Sequence, residues 1–481
     1  MINDALPEIS GRPYTSICLV SLGCSKNLVD SEAMIGILLD EGYTITTDPS
    51  LADVIIVNTC GFIQAAKQEA IDKILEMADH KNSEAGPGNP DGHGQRKGKC
   101  RFLIVTGCLA QRYAREIADL LPEVDAVLGT CEYASIASTI GQLYASDTDK
   151  PGHGGVSCGP VIKIGRGDPL GHLRISRVPS TKVYAYLKIS EGCSNNCAYC
   201  AIPGIRGAMV SRSIEDLTGE TERLAGMGYT EIVLIAQDTT RYGQDLYGRR
   251  MLPDLITKIS AVDGIRKIRL LYCYADGITP ELIRVMADDP KVAKYIDIPI
   301  QHISDSVLRR MNRRDTSGSI DECIASLRRN IPDITIRTTV MTGFPGETDE
   351  DFGKLYDFVK RTRFDLLGCF VFSSEDDTAA HSMKPKVPKS VAKRRYNSIM
   401  KLQKAISYEK NQAWIGKLYK VTIDSPAPDG VFYLGRGDPQ APEIDPPVYV
   451  IAAEDVLETG TEYTVRIVDC SEYELTGVTY P

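Results

Sequence analysis

Three cysteines within eight residues, Cys193, Cys197 and Cys200, form the stretch of this chain best suited to chemistry. Their spacing, C-x3-C-x2-C, lets one loop curl and aim three sulfurs at one point. Thiolates are soft ligands that suit zinc or iron–sulfur clusters. Structural zinc wants four protein ligands, often as two separated pairs. No fourth Cys or His lies close enough in the sequence to complete a local set. Three thiolates on a four-iron cluster would leave one iron open to an outside ligand. The spacing favours that cluster; zinc, or three buried and incidental thiols, are the alternatives.

Three further cysteines, Cys24, Cys60 and Cys108, each follow an apolar run: Ser-Leu-Gly-Cys24, Asn-Thr-Cys60 and Thr-Gly-Cys108. The elements around them read as strand 15–22, helix 25–41, strand 54–57, helix 62–79, strand 102–105, helix 110–120, strand 126–128 and helix 133–143. This alternation predicts a parallel sheet with covering helices. In such a sheet the carboxyl ends of the strands share one edge, where ligands bind. Three thiols distant in sequence can therefore meet, which predicts a second cluster. A lone cysteine would be a small buried hydrophobe. Cys131 also follows a strand, and spacing alone does not exclude it; Cys18, inside a strand, reads as core.

These motifs carry a resemblance. The C-x3-C-x2-C loop, with Tyr199 before its last cysteine, resembles the radical S-adenosylmethionine (SAM) enzymes. In that superfamily the open iron chelates SAM, and reduction splits the sulfonium to give a 5′-deoxyadenosyl radical. Ser21-Leu-Gly-Cys-Ser-Lys-Asn27, Asn58-Thr-Cys-Gly-Phe62 and Gly107-Cys-Leu-Ala-Gln111 resemble the N-terminal domain of methylthiotransferases, as does Tyr199-Cys-Ala-Ile-Pro-Gly-Ile-Arg-Gly207 farther on. The resemblance implies that Cys24, Cys60 and Cys108 hold an auxiliary cluster whose open iron carries the sulfur to be inserted. It thus implies two [4Fe-4S] clusters, with SAM as both radical source and methyl donor. Cys131 matches no family ligand.

From Lys182 a second alternation begins, with strand candidates 183–189, 232–236, 268–271, 296–300, 334–341 and 366–372. Helical stretches such as 214–227 and 349–359 separate most of them. Six β/α repeats predict a partial (β/α)6 barrel, which the resemblance also implies, with active residues at the carboxyl ends of the strands. Those ends carry Gln237 and Asp238, Gln301 and His302, and the Gly-rich turn Thr342-Gly-Phe-Pro-Gly-Glu-Thr348. Family members use such positions around SAM, which marks Tyr199, Gln237, Gly343 and Gly346 as cofactor-binding candidates. The plainer reading of the Gly-rich turn is a β-to-α turn with Thr348 as helix N-cap. His302 reads as a structural histidine. Arg309-Arg310 and Arg313-Arg314 read as a solvated helix end, with a carboxylate or phosphate contact as the alternative. Cys273, Cys323 and Cys369 have no cluster spacing.

A helix over 390–413 closes this domain. Five short β-like runs follow, at 419–424, 431–434, 448–451, 462–468 and 473–478, and predict a small antiparallel barrel. The family ends in such a module, the TRAM domain, often described as RNA-binding. Between residues 412 and 481, however, four basic residues face twelve acidic ones, so this segment carries nearly all of the net charge of −9. Phosphate binding needs the opposite sign. An acidic surface suits a basic protein such as a ribosomal protein, and RNA binding is not expected.

The domain plan is 14–147, a linker at 148–178, a radical SAM core at 179–411 and the TRAM module at 412–481, matching a prior of roughly 150 residues per domain. An insertion between Lys81 and Lys99 and the stretch Thr148 to Gly171, with Cys158, are Gly-rich and lack apolar periodicity. At 43% hydrophobic and 25% charged residues the chain reads as soluble. No run of about 18 apolar residues marks a membrane span. Met1 to Arg12 lacks the regions of a signal peptide, so the fourteen cysteines read as metal ligands and buried thiols in the cytoplasm. Ala236-Gln-Asp-Thr-Thr-Arg-Tyr-Gly243 and Gly435-Arg-Gly-Asp-Pro-Gln-Ala-Pro-Glu-Ile-Asp445 resemble the RimO branch of the methylthiotransferases. That branch modifies an aspartate of small-subunit ribosomal protein twelve, and an electron donor such as flavodoxin or ferredoxin would serve it. A tRNA methylthiotransferase of the MiaB branch, or a non-catalytic iron–sulfur protein, are the other readings.

Overall fold

Residues 15–81, 99–148, 159–453 and 456–480 are described in the computed structural model of the chain. The N-terminal segment, the insertion after Lys81 and Cys158 lie outside them. Lys81 and Cys100, at the insertion's ends, pair as an isolated bridge. The chain divides into two compact units, one of residues 1–181, 191–194 and 201–210, the other of the remainder.

The first unit is built on a six-stranded parallel sheet. Its elements are β1 (Ser16–Ser21), α1 (Ser25–Asp40), β2 (Thr44–Ile45), β3 (Val54–Thr59), α2 (Gln64–Ala78), β4 (Phe102–Gly107), α3 (Cys108–Leu120), β5 (Ala126–Leu128), α4 (Ile136–Thr148) and β6 (Val161–Lys163). The strand order is β2-β1-β3-β4-β5-β6. Strands β3 and β4 are buried throughout, as apolar strands covered on both faces must be. Ile17, Leu19, Val54 and Ile56 pack with Met34, Ile35 and Leu38 of α1 on one face. Cys18, Ile55 and Val57 pack with Ile74, Met77 and Ile117 of α2 and α3 on the other. The order reverses between β1 and β3, which opens a crevice at their carboxyl ends.

The segment read as a linker, 148–178, belongs in its described part to this unit. β6 pairs with β5, and His172 bonds Asp30 of α1 at 2.8 Å. Arg177 pairs with Glu32 of α1, whose carboxylate also accepts from the Ser180 amide at 2.7 Å.

The second unit holds both barrels. The partial barrel comprises β7 (Tyr184–Lys188), β8 (Glu231–Ile235), β9 (Lys267–Leu270), β10 (Val292–Asp297), β11 (Thr335–Thr342) and β12 (Leu366–Val371). All pairings are parallel and each strand pairs with its sequence neighbour. The fourth strand ends at Asp297 rather than Ile300, since Pro299 has no N–H to continue the ladder. The C-terminal barrel is closed: β13 (Leu418–Pro426), β14 (Tyr433–Arg436), β15 (Val448–Ile451), β16 (Glu462–Cys470) and β17 (Leu475–Thr479), in the order β13-β14-β15-β17-β16. One pair in it, β15 with β17, is parallel rather than antiparallel.

The segment Gly435–Asp445 of the C-terminal barrel lies against the amino-terminal end of the partial barrel. Arg436 pairs with Glu231 at 3.1 Å and with Asp424 at 2.6 Å. Arg269 pairs with Glu231 at 2.9 Å and donates to the carbonyl of Asp438 at 2.6 Å. Tyr184 donates to Glu443 at 2.9 Å; Tyr295 donates to Asp445 at 2.7 Å, and Arg337 pairs with it at 3.1 Å. Asp438 meets Lys267 at 2.8 Å. The expected acidic surface thus needs a correction. Asp424, Asp438, Glu443 and Asp445 each meet groups of the chain itself, which takes part of their charge out of any contact with a partner.

Glu231 is buried, yet its pKa falls to about 2, because Arg436, Arg269 and Lys267 outweigh its desolvation. Removing one partner of such a pair leaves an uncompensated buried charge and costs about 3–5 kcal/mol. R436A is expected to lower the unfolding free energy of this unit by that amount, and its denaturation midpoint with it. The single tryptophan, Trp414, in ring contact with Tyr419 of β13, reports it by fluorescence. An unchanged midpoint would refute the reading.

Candidate functional site

Cys24, Cys60 and Cys108 follow β1, β3 and β4, so the crevice between β1 and β3 gathers them. Cys24 caps α1 and Cys108 opens α3. Helix N-termini carry partial positive charge and favour thiolates. Gly23 makes the approach possible: its φ is +97°, and an added Cβ would lie 2.8 Å from the Cβ of Cys60. Burial, and then the neighbouring Cys108, push the Cys60 thiol up to about 11. Desolvation opposes ionisation of Cys24 too, but Lys26, Arg206 and backbone amides hold that thiol below its ordinary value.

Among the described residues, the only acid, His or Cys set whose ligand atoms all lie within 4.8 Å of one another is Asp30, His172 and Glu191. At least one pair of the three sulfurs therefore stands more than 4.8 Å apart. A zinc ion, with Zn–S near 2.3 Å, would hold sulfurs about 3.8 Å apart. Three thiols are soft donors of the kind that hold iron–sulfur clusters, and the described cysteines form no disulfide. The Asp30, His172 and Glu191 set is an ion-pair network, because the Arg206 guanidinium bonds both carboxylates.

The second triad lies on the loop after β7. Cys193 falls in the first unit, where its amide donates to the Gly207 carbonyl at 3.0 Å. Cys197 and Cys200 fall in the second, where the Cys200 amide donates to the Cys197 carbonyl at 3.0 Å. The second unit fixes its part of the loop from several sides. Asn195 donates to Asp238, after β8, at 2.7 Å, and accepts from Arg314. The Ala198 amide donates to the Met311 carbonyl at 2.9 Å. The Tyr274 hydroxyl, after β9, stands 3.4 Å from the Cys197 sulfur. Arg313 stacks on Tyr274, 4.5 Å from the ring centre, pairs with Asp315 at 2.7 Å and donates to the Tyr199 hydroxyl at 3.4 Å.

The basic run has thereby split. Arg313 and Arg314 hold the cysteine loop, whereas Arg309 and Arg310 donate to backbone carbonyls. Arg313 meets a carboxylate, the alternative the sequence offered, whereas nothing local marked Tyr274 or Asn195, whose roles arise from contacts that no spacing encodes. Asp238 stands at a strand end, where the sequence placed it.

The remaining candidates divide as well. Gln237 follows β8 and is half-buried. Gly343 and Gly346 have φ of +80° and +85°, and an added Cβ would meet Ala392 at 2.3 Å and the Arg310 guanidinium at 2.4 Å. The amides of Gly343 and Phe344 donate to Glu347, and that of Gly346 to the Pro385 carbonyl. The chain's own packing thus accounts for both glycines, and Thr348 caps the following helix. His302 accepts from the Ser304 amide at 3.0 Å, and burial pushes its pKa down to about 4, so it is neutral. No described helix is long and apolar enough to cross a membrane.

Comparison with known proteins adds the following. A model of the uncharacterized protein family UPF0004 matches residues 16–129, the radical SAM superfamily matches 187–359 and the TRAM domain matches 415–479. A curated relative from Acetivibrio thermocellus, a ribosomal protein uS12 methylthiotransferase RimO, is 46% identical over 95% of this chain and 97% of its own. Proteins of the same name from Thermoanaerobacter sp. and Geobacter sulfurreducens are 44% and 45% identical, each over 96% of this chain and 99% and 98% of their own. Among solved structures, the radical SAM methyltransferase TsrM from Kitasatospora setae, with cobalamin and a [4Fe-4S] cluster bound, is 14% identical with a TM-score of 0.50, covering 76% of each chain. That likeness concerns the fold.

Proposed function

The chain belongs to the RimO family of ribosomal protein uS12 methylthiotransferases, and from that premise we propose that it replaces a β-hydrogen of a uS12 aspartate by a methylthio group. It is a transferase of sulfur-containing groups. One [4Fe-4S] cluster sits on Cys193, Cys197 and Cys200, and a second on Cys24, Cys60 and Cys108. When bound, the first supplies reductive SAM cleavage and the second a site for the sulfur, chemistry that side-chain acids and bases cannot do on an unactivated C–H bond.

The residues around these sites hold geometry. Asn195, Asp238, Arg313 and Arg314 fix the loop that presents Cys197 and Cys200, and Tyr274 covers the Cys197 sulfur. Tyr199 and Gln237 are the candidates for SAM contact. With the amides of the Gly343–Gly346 turn engaged within the chain, any contact of that turn to SAM falls to its carbonyls. The observation that carries this reading is the pair of cysteine triads, one on a single loop and one gathered from three strand ends.

The test is mass spectrometry of uS12 and tRNA after anaerobic reaction with SAM, sulfide and a reductant. A methylthio group on a uS12 aspartate is expected. Modification of tRNA alone would move the reading to the tRNA branch.

A further inference from the structure

We propose that Arg206 is a positioning residue for the auxiliary cluster: its guanidinium, locked by two carboxylates, orients Cys108 and raises the cluster's reduction potential. This rests on the two-cluster reading above. Arg206 is buried, and a buried guanidinium persists only when its donors find partners. Its Nη1 donates to both oxygens of Glu191 at 2.9 Å and to Asp30 at 3.1 Å. Its Nη2 donates to Asn27 Oδ1 at 2.6 Å and to Asp30 at 3.1 Å. The remaining donor, Nε, points at the Cys108 sulfur from 3.3 Å.

The lock is itself braced. His172 bonds the other oxygen of Asp30 at 2.8 Å, and the Gly192 amide donates to Glu191 at 3.0 Å. The guanidinium therefore cannot turn away without leaving buried carboxylates unpaired, so its aim is fixed before any cluster arrives. The next residue matters too, since the Gly207 carbonyl accepts from the Cys193 amide. Two consecutive residues thus touch one proposed ligand of each cluster.

Reduction adds negative charge to a cluster, and hydrogen bonds and nearby charge set its potential. A cation bonded to a ligand sulfur stabilises the reduced form. Glu191 stands behind the guanidinium, so loss of both groups removes mainly the nearer one and lowers the potential.

The experiment uses the full chain carrying Cys193→Ala, Cys197→Ala and Cys200→Ala, in which only the auxiliary cluster can form. Its midpoint is read by EPR-monitored redox titration, alone and with R206K or R206Q/E191Q. The glutamine pair should lower the one-electron reduction constant at least tenfold, a shift of about 59 mV. R206K, which keeps the charge but loses the fork, should fall between. Loss of auxiliary iron from a variant with unchanged circular dichroism would also support the role. An unchanged midpoint at full iron, in R206K if the pair does not fold, would overturn it. No iron in the parent variant would overturn the two-cluster reading, and this one with it.

Discussion

Alanine at Cys193, Cys197 and Cys200 together is expected to halve the iron of the reconstituted chain, from about eight atoms to about four, and to abolish SAM cleavage. The loop offers SAM no other iron, so single substitutions should lose cleavage as well. Folding should survive, since Asn195, Ala198 and Tyr199 keep their bonds to Asp238, Met311 and Arg313. Iron assay and chromatography of 5′-deoxyadenosine measure both effects. Zinc in place of iron, or an undiminished iron count, would remove the basis for a SAM-binding cluster here.

Substitution of Cys24, Cys60 or Cys108 should give the opposite separation. Methylthiolation should drop below detection while SAM cleavage persists, because these thiols stand on a different sheet from the partial barrel. Cys108→Ala should have a second effect. It leaves Arg206 Nε without its sulfur partner, and a buried donor left unpaired costs about 1–3 kcal/mol. Deoxyadenosine and methylthiolated uS12 are measured on the same samples. Equal loss of both products, with folding intact, would contradict separate roles.

Both triads were legible for the same reason. Cysteines at strand ends, or three on one loop, are placed by local rules, and a parallel sheet sends the ends of its strands to one edge. The barrel strands were legible from apolar runs, except the fourth, which starts at Val292 rather than Ile296 and which Pro299 ends early. Arg206 was not. It lies within a motif that was read for its cysteines, and its partners Asp30 and Asn27 are over 170 residues away in sequence. Nothing local marks an arginine as inward-facing. β6 was hidden by its flanks, because three residues with a half-exposed face hardly interrupt a Gly-rich stretch. The acidity of the last segment was counted correctly, but a count does not say which carboxylates turn inward.

The segment Gly435–Asp445 bears on how this architecture can be inherited. Glu231, Lys267 and Arg337 on one barrel are opposite in sign to Arg436, Asp438 and Asp445 on the other. A C-terminal module borrowed from a relative lacking that pattern would set unmatched charges against buried ones. Recombination between lineages should therefore succeed only when the strand starts and the distant loop travel together. The two barrels, separable by eye, should be inherited as one unit.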